Sequence, residues 1–370
     1  MIPFNKPHLT GKETHYIYDA VYSQGKLSGN GKYTKLCQEF FQDKYHFSKT
    51  LLTTSCTDAL EMSAILVNIQ KGDEVIMPSY TFVSTANAFI LRGAKVIFVD
   101  SLDDHPNIDP KKVQKAITAK TKAIVVVHYA GIACDMDKIM ALANKHNLFV
   151  IEDAAQAIDS FYKDRPLGGI GHLSTFSFHE TKNISSGEGG MLVINDKRFI
   201  DRSEIIWEKG TNRASFFRGE VNKYGWVDIG SSFLPSELTA AFLYAQLEHL
   251  NEIQAKRKKL WTQYNQLLAN KSDFFGKKIK KPVIPNYATN NAHMFYLLLD
   301  SLEDRNDLIK ILKNKGLHSV FHYLPLNESE YFKKHYQGEE LKNTKLFSNN
   351  LLRLPFYTDL EFKEIENKIV

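Results

Sequence analysis

The sequence predicts an α/β protein: a large unit on a mostly parallel sheet sandwiched by helices, then a smaller α+β unit. Three observations predict it. Between Leu51 and Asn195, short apolar runs alternate with amphipathic stretches of helical period. The apolar runs are nearly continuous, as strands covered on both faces must be. Beyond Pro282-Val-Ile-Pro285, which reads as a linker, strands and helices follow a pattern of their own.

Taken in order, residues 13–24 and 33–46 have helical character, and the turn Gly25-Lys-Leu-Ser-Gly-Asn-Gly31 separates them. Strands are expected at Leu51–Thr54, Glu74–Met77, Val96–Asp100, Ala123–His128, Phe149–Asp153, Ser174–Phe178 and Met191–Ile194. Helices are expected at 57–69, 81–92, 109–118, 135–146 and 196–207. Such sheets bind ligands at strand ends and helix starts. Residues 210–232 are polar and aromatic with little period, a long functional loop or an interface segment. Pro235 to Ala269 reads as two helices or one long bent helix, with Pro235 at a first helical position. Strands at 293–299 and 317–323 and helices at 304–315 and 359–368 complete the chain. The expected division is a large domain over 1–250, including the N-terminal helical segment, and a small C-terminal α+β domain over 251–370.

Composition narrows the function. The 370 residues are 43% hydrophobic and 24% charged, ordinary globular material with room for a large core. The net charge of +5 is mild; the basic runs Lys256–Lys259 and Lys277–Lys281 accompany no nucleic-acid motif and read as solvated faces. Three cysteines without a C-x-x-C pair fit a reducing, cytoplasmic setting and no metal. No apolar run is long enough to span a bilayer, and the first residues lack the apolar core of a signal peptide.

Four stretches carry chemistry. Ser55, Cys56 and Thr57 follow a strand and open a helix, so they are either a plain N-cap or an anion site of backbone N–H groups and hydroxyls. Phe82, also at a helix start, is either a core aromatic or a platform for a flat ligand. Asp153 ends an apolar strand, where a buried carboxylate needs a cationic partner. Lys182 lies between a strand and Ser185-Ser-Gly-Glu-Gly-Gly190; a lysine pinned and partly desolvated there has a lowered pKa and a nucleophilic amine. Together these match what pyridoxal 5'-phosphate (PLP) needs: a phosphate grip, a stacking surface, a pyridinium partner and a Schiff-base lysine.

The order and wording, above all Glu152-Asp-Ala-Ala-Gln156 and Phe176-Ser-Phe-His-Glu-Thr-Lys182, resemble the nucleotide-sugar aminotransferases of PLP fold-type I. The likeness runs from Ile2-Pro-Phe4 to Arg353-Leu-Pro355. Gly72–Asn87, His128-Tyr-Ala-Gly131, Glu208–Arg213 and Ala292-His-Met-Phe-Tyr296 look most like members that make an amino sugar for enterobacterial common antigen. The resemblance implies transfer of an amino group from L-glutamate to the 4-keto carbon of dTDP-4-keto-6-deoxy-D-glucose, giving dTDP-4-amino-4,6-dideoxy-D-galactose. It implies that Lys182 holds PLP, Asp153 pairs with its ring nitrogen, Gln156 binds the ring hydroxyl and Phe82 stacks. Ser55, Cys56, Thr57 and Ser177 would grip the phosphate. Ser232 stands where many relatives carry an asparagine donated by a second subunit, so a homodimer with shared sites is implied. Lys26, Ser28, His128, Arg213 and His322 are the implied substrate contacts. Many relatives have P-L-H where this chain has Pro325-Leu-Asn327, so no histidine role transfers there. The alternatives are a 3-aminotransferase, a 4-aminotransferase of other stereochemistry, a dehydratase relative (against which Lys182 argues) and a non-catalytic binding relative.

Overall fold

The computed structural model describes residues 1–369. The strands of the main sheet are β1 (Thr50–Thr53), β2 (Glu74–Pro78), β3 (Lys95–Val99), β4 (Thr121–Val127), β5 (Phe149–Asp153), β8 (Leu173–Ser177) and β9 (Gly190–Ile194); β6 (Phe161–Tyr162) and β7 (Arg165–Pro166) form a small separate ribbon. The seven strands lie in the order β1-β9-β8-β5-β4-β2-β3. Pairing is parallel from β3 to β8, while β9 runs antiparallel to both β8 and β1. Successive residues of β4 face opposite layers: Ile124 and Val126 join one core cluster, Ala123 and Val125 the other. That is why its sequence is continuously apolar rather than alternating.

Two helical layers cover the sheet. The helices are α1 (Glu13–Tyr18), α2 (Lys32–Tyr45), α3 (Cys56–Leu66), α4 (Val83–Ile90), α5 (Pro110–Ala116), α6 (Met136–His146), α7 (Ile200–Trp207), α8 (Arg213–Phe217), α9 (Glu237–Glu248) and α10 (Leu250–Leu267). Phe41 of α2, Ile139 of α6 and Ala240 of α9 bury one face; Leu60 of α3, Phe89 of α4 and Trp207 of α7 bury the other. Glu237 fixes the start of α2 from outside, accepting hydrogen bonds from the N–H groups of Gly31, Tyr33 and Thr34. A buried carboxylate is tolerated there because it meets the orphan donors of a helix start.

The second sheet is antiparallel: β10 (Asp273–Phe274), β11 (Lys277–Lys280), β12 (Tyr296–Leu299) and β13 (Leu351–Arg353), in that order. With α11 (Leu302–Asn314), α12 (Lys342–Asn350) and α13 (Phe362–Ile369) it encloses a separate core that includes Leu297, Leu308, Leu352 and Ile365. Ile2, from the other end of the chain, belongs to this core and bridges Leu317.

Three expectations need correction. Residues 317–323 form no strand; they make only single bridges, Ile2 to Leu317 and Val320 to Arg353, before turning toward Pro325. Ser236 caps α9, so Pro235 stands before the cap rather than inside the first turn. The first helix changes to a π-turn over Asp19–Ser23. The basic run at 277–281, expected to be a solvated face, largely forms β11 and does expose Lys278 and Lys280 on either side of buried Ile279.

Candidate active site

The carboxyl ends of β1, β2, β5 and β8 open on one cavity of about 510 Å³. Ser55, Cys56, Thr57, Phe82, Asp153, Gln156, Ser177 and Lys182 all line it, together with His322. Ser55 caps α3, accepting from Asp58 N–H at 3.1 Å. The N–H groups of Cys56 and Thr57 lie in the first turn, where no helical carbonyl can reach them. Gly190 lets β9 press against this turn: a Cβ there would lie 2.3 Å from the Ser55 carbonyl carbon. The N-cap reading of Ser55 holds, and the three residues line the cavity.

Asp153 is buried at the end of β5. Its carboxylate accepts from Thr85 Oγ1 at 2.7 Å and from Ala155 N–H at 3.2 Å. Burial pushes its pKa up, against those two hydrogen bonds and the Lys182 charge. Phe82 is 56% exposed although it sits at the start of α4, which leaves its ring face available. Gln156 accepts from Ala130 N–H at 2.6 Å and donates to the Tyr323 hydroxyl at 3.0 Å.

Lys182 is pinned by a loop closed on itself. Phe178 N–H donates to Gly189 O, Ser186 N–H to Phe178 O, and Lys182 N–H to His179 O. The next residue, Asn183, is buried and donates to Gln254 Oε1 and Asn291 O, while its own Oδ1 meets His293 Nδ1 at 2.8 Å. Burial pushes the Lys182 ammonium below its ordinary range; Asp153 opposes this and Arg353 adds to it. The cavity thus brings together a lysine whose ammonium is disfavoured by burial, a buried carboxylate and the start of a helix.

The family model for DegT/DnrJ/EryC1/StrS aminotransferases matches residues 9–369. The chain belongs to this family. It is a PLP-dependent sugar aminotransferase of fold-type I. It is 34% identical over 350 residues to GDP-perosamine synthase of Escherichia coli O157:H7, covering 92% of this chain and 90% of that protein. It is 31% identical over 379 residues to the spore coat polysaccharide biosynthesis protein SpsC of Bacillus subtilis, covering 100% and 95%. Spr1654 of Streptococcus pneumoniae, in its PLP form, superposes with a TM-score of 0.89 at 26% identity, covering 100% of this chain and 96% of that one.

Not every expected site residue of this aminotransferase reaches the cavity. His128 is a correction. It is wholly buried, with Nδ1 accepting from Cys134 N–H at 3.1 Å and Nε2 facing Glu152 Oε2 at 2.9 Å. Glu152 also accepts from the N–H groups of Gly168, Ile170 and Gly171. Burial raises the Glu152 pKa, but the hydrogen bonds from His128 and from the Gly171 and Gly168 N–H groups outweigh it, so the carboxylate stays ionised. His128 thus holds the sheet to the following loop and has no nitrogen left for a substrate. Lys26, Ser28, Arg213 and Ser232 are exposed and do not line this chain's cavity. Lys26 Nζ donates to Asn30 O, Arg213 stacks over Phe217 at 5.2 Å, and Ser232 bridges Glu208.

Other lining residues escaped the sequence reading: Phe4, Thr85, His293, Tyr323 and Arg353. Thr85 was legible in part, since a hydroxyl one turn into a helix after a strand can reach a neighbouring strand end. His322 stacks on Tyr323 with centroids 3.6 Å apart and shares a 2.6 Å hydrogen bond with the Tyr129 hydroxyl. Burial, with the Arg353 charge, drives its pKa well down, so it is neutral. Asn327, at the P-L-H position, is buried and locked to Ser79, which steadies the loop bearing His322 and Tyr323.

Proposed function

We propose that the chain transfers an amino group from L-glutamate to C4 of a nucleotide-linked 4-keto-6-deoxy sugar, with dTDP-4-keto-6-deoxy-D-glucose as substrate and dTDP-4-amino-4,6-dideoxy-D-galactose as product. The observation that carries this reading is the meeting of Lys182, Asp153, Phe82, Gln156 and the start of α3 around one cavity. The choice of sugar rests on the likeness of Gly72–Asn87 and Glu208–Arg213 to that branch of the family. A GDP-linked sugar is the second reading, favoured by the name of the E. coli relative.

The residues fit the cofactor. The free N–H groups of Cys56 and Thr57, with Ser177, would hold its phosphate. Gln156 would reach the ring hydroxyl, Phe82 would cover a ring face, Asp153 would keep the ring nitrogen protonated, and Lys182 would bond it through Nζ. Bound PLP supplies an electron sink for the charge left when a C–H bond beside the amine breaks. With the cofactor bound, Lys182 Nζ would be the base that takes the proton from the donor Cα. The same Nζ would deliver a proton to the sugar carbon when the amino group is passed on. Burial, which lowers its pKa, favours the free amine that the first of these tasks requires.

Incubation with dTDP-4-keto-6-deoxy-D-glucose and L-glutamate, followed by NMR of the product, tests the reading. It predicts an axial C4 amino group of the galacto configuration. Amination at C3, an equatorial amine, or turnover only with a GDP-linked ketosugar would replace it.

A further inference from the structure

Glu152 and Asp153 are neighbours on β5 and both are buried, but they are held differently. Glu152 accepts from the backbone N–H groups of Gly168, Ile170 and Gly171 and faces His128. Asp153 accepts from one backbone N–H, that of Ala155 at 3.2 Å, and its shorter hydrogen bond comes from a side chain, Thr85 Oγ1 at 2.7 Å. Thr85 stands in the first turn of α4 and is wholly buried. Its Oγ1 also lies 2.8 Å from Thr81 Oγ1, itself buried just before the helix. The protons of this pair can be placed. A hydroxyl has one hydrogen and two lone pairs, and a carboxylate only accepts. Thr85 gives its hydrogen to Asp153, so it must accept from Thr81. The three groups form a chain that runs one way, from Thr81 through Thr85 to Asp153.

We propose that Thr81 and Thr85 are positioning residues: as a directed hydroxyl chain they hold the Asp153 carboxylate ionised and aimed for the ring nitrogen of PLP. This rests on the reading of Asp153 as the partner of that nitrogen and adds what makes it a fit partner. A hydroxyl donated to a carboxylate favours the charged form, and a hydroxyl that itself accepts a hydrogen bond donates more strongly. An ionised carboxylate has about four lone-pair sites; Thr85 and Ala155 take two and leave the rest for a ring N–H. Burial works against the Asp153 charge, and the Thr85 hydrogen bond is the largest influence opposing it. The helix start also joins two tasks. Phe82, the N-cap of α4, lies between the two threonines and carries the exposed ring. The element that would cover the cofactor ring is thereby tied to the residue that would pair with its nitrogen. The other ionisable groups coupled to Asp153 are Lys182 beyond β8, His128 beyond β4, Cys56 at the start of α3 and Tyr323 before Pro325. They are common to the wild type and to threonine variants, so a difference between these proteins reports the hydroxyls.

The first readout is made without cofactor. Carbon NMR of protein labelled at the aspartate carboxyls follows the titration of Asp153, whose resonance is the one missing from Asp153→Asn. Relative to the wild type, Thr85→Val should raise the proton affinity of Asp153 by about 10- to 100-fold, the range for losing a hydrogen bond to a charged group. Thr85→Ala serves if the valine variant does not fold. Thr85→Ser restores the hydroxyl and should titrate as the wild type does. Thr81→Val removes the outer link and should move the titration the same way by less. The second readout is nitrogen NMR of bound PLP labelled at its ring nitrogen. The wild type should show a protonated ring, and Thr85→Val should move the resonance toward the unprotonated value, because the carboxylate then competes for the proton. An Asp153 titration unchanged in Thr85→Val overturns the proposal. So does an equal displacement in Thr85→Ser and Thr85→Val, which would assign the effect to packing. A Thr81→Val titration identical to that of the wild type overturns the chain beyond Thr85. An unprotonated ring in the wild type would sink the pairing of Asp153 with the ring nitrogen, and the cofactor-free titration would still decide what the hydroxyls do to Asp153.

Discussion

At the residue scale, burial moves the pKa values of the site's ionisable groups away from their ordinary ranges. Asp153 is the clearest case, because its burial raises its pKa unless a cation joins it. Asp153→Asn preserves shape and removes the charge; we expect a loss of at least about two powers of ten in kcat, comparable to removing other groups that stabilise developing charge. Lys182 gives a prediction about stability. Its folded pKa lies below the ordinary 10.5, so the cofactor-free protein loses stability as pH falls from that value toward the lowered one. Lys182→Met should therefore raise the melting temperature of cofactor-free protein at neutral pH. The gain should shrink as pH approaches 10.5, and a pH-independent difference would contradict the desolvated amine.

At the element scale, strand ends and helix starts place the chemistry, and this was the part most legible in the sequence. Continuous apolar runs marked β4 and β5, and Asp153 and Ser55 fell where such elements end and begin. Less legible were features decided by non-local contact. No local pattern marks Arg353, whose position depends on Phe4 and Val320 across the chain. Residues 317–323 have strand composition, yet they find partners only at Leu317 and Val320. His128 belonged to a motif that suggested a substrate contact, whereas the fold turns it toward Glu152. Removing one member of a buried pair costs about 3–5 kcal/mol. His128→Ala should accordingly lower stability by about that much in urea unfolding while leaving the sugar KM of the remaining folded enzyme within about twofold. A selective rise in KM without loss of stability would restore the substrate role.

At the scale of the whole molecule, no helix among the described residues is long and apolar enough to cross a membrane. The segment around 210–232 carries exposed apolar side chains, with Trp226 83% and Phe217 68% exposed. Lys26, Ser28, Arg213 and Ser232 are exposed as well, away from the cavity of their own chain. In a two-fold homodimer, Arg213 and Ser232 would be the candidates to serve the partner's cavity, one toward substrate phosphate and the other toward cofactor phosphate. Mixing a Lys182→Ala chain with an Arg213→Ala, Ser232→Ala chain provides the check. Shared sites leave one intact site per mixed dimer, so part of the activity returns. Mixed dimers no more active than their parents would confine these residues to their own subunit or to no role.

The central claim is that this cavity, through Lys182, holds the cofactor. Borohydride reduction of the PLP-loaded protein, followed by proteolysis and mass spectrometry, tests it most directly. The pyridoxyl mass should fall on the peptide carrying Lys182, and Lys182→Ala should bind PLP without any covalent label. A label on another lysine of the wild type would contradict the assignment and the mechanism built on it.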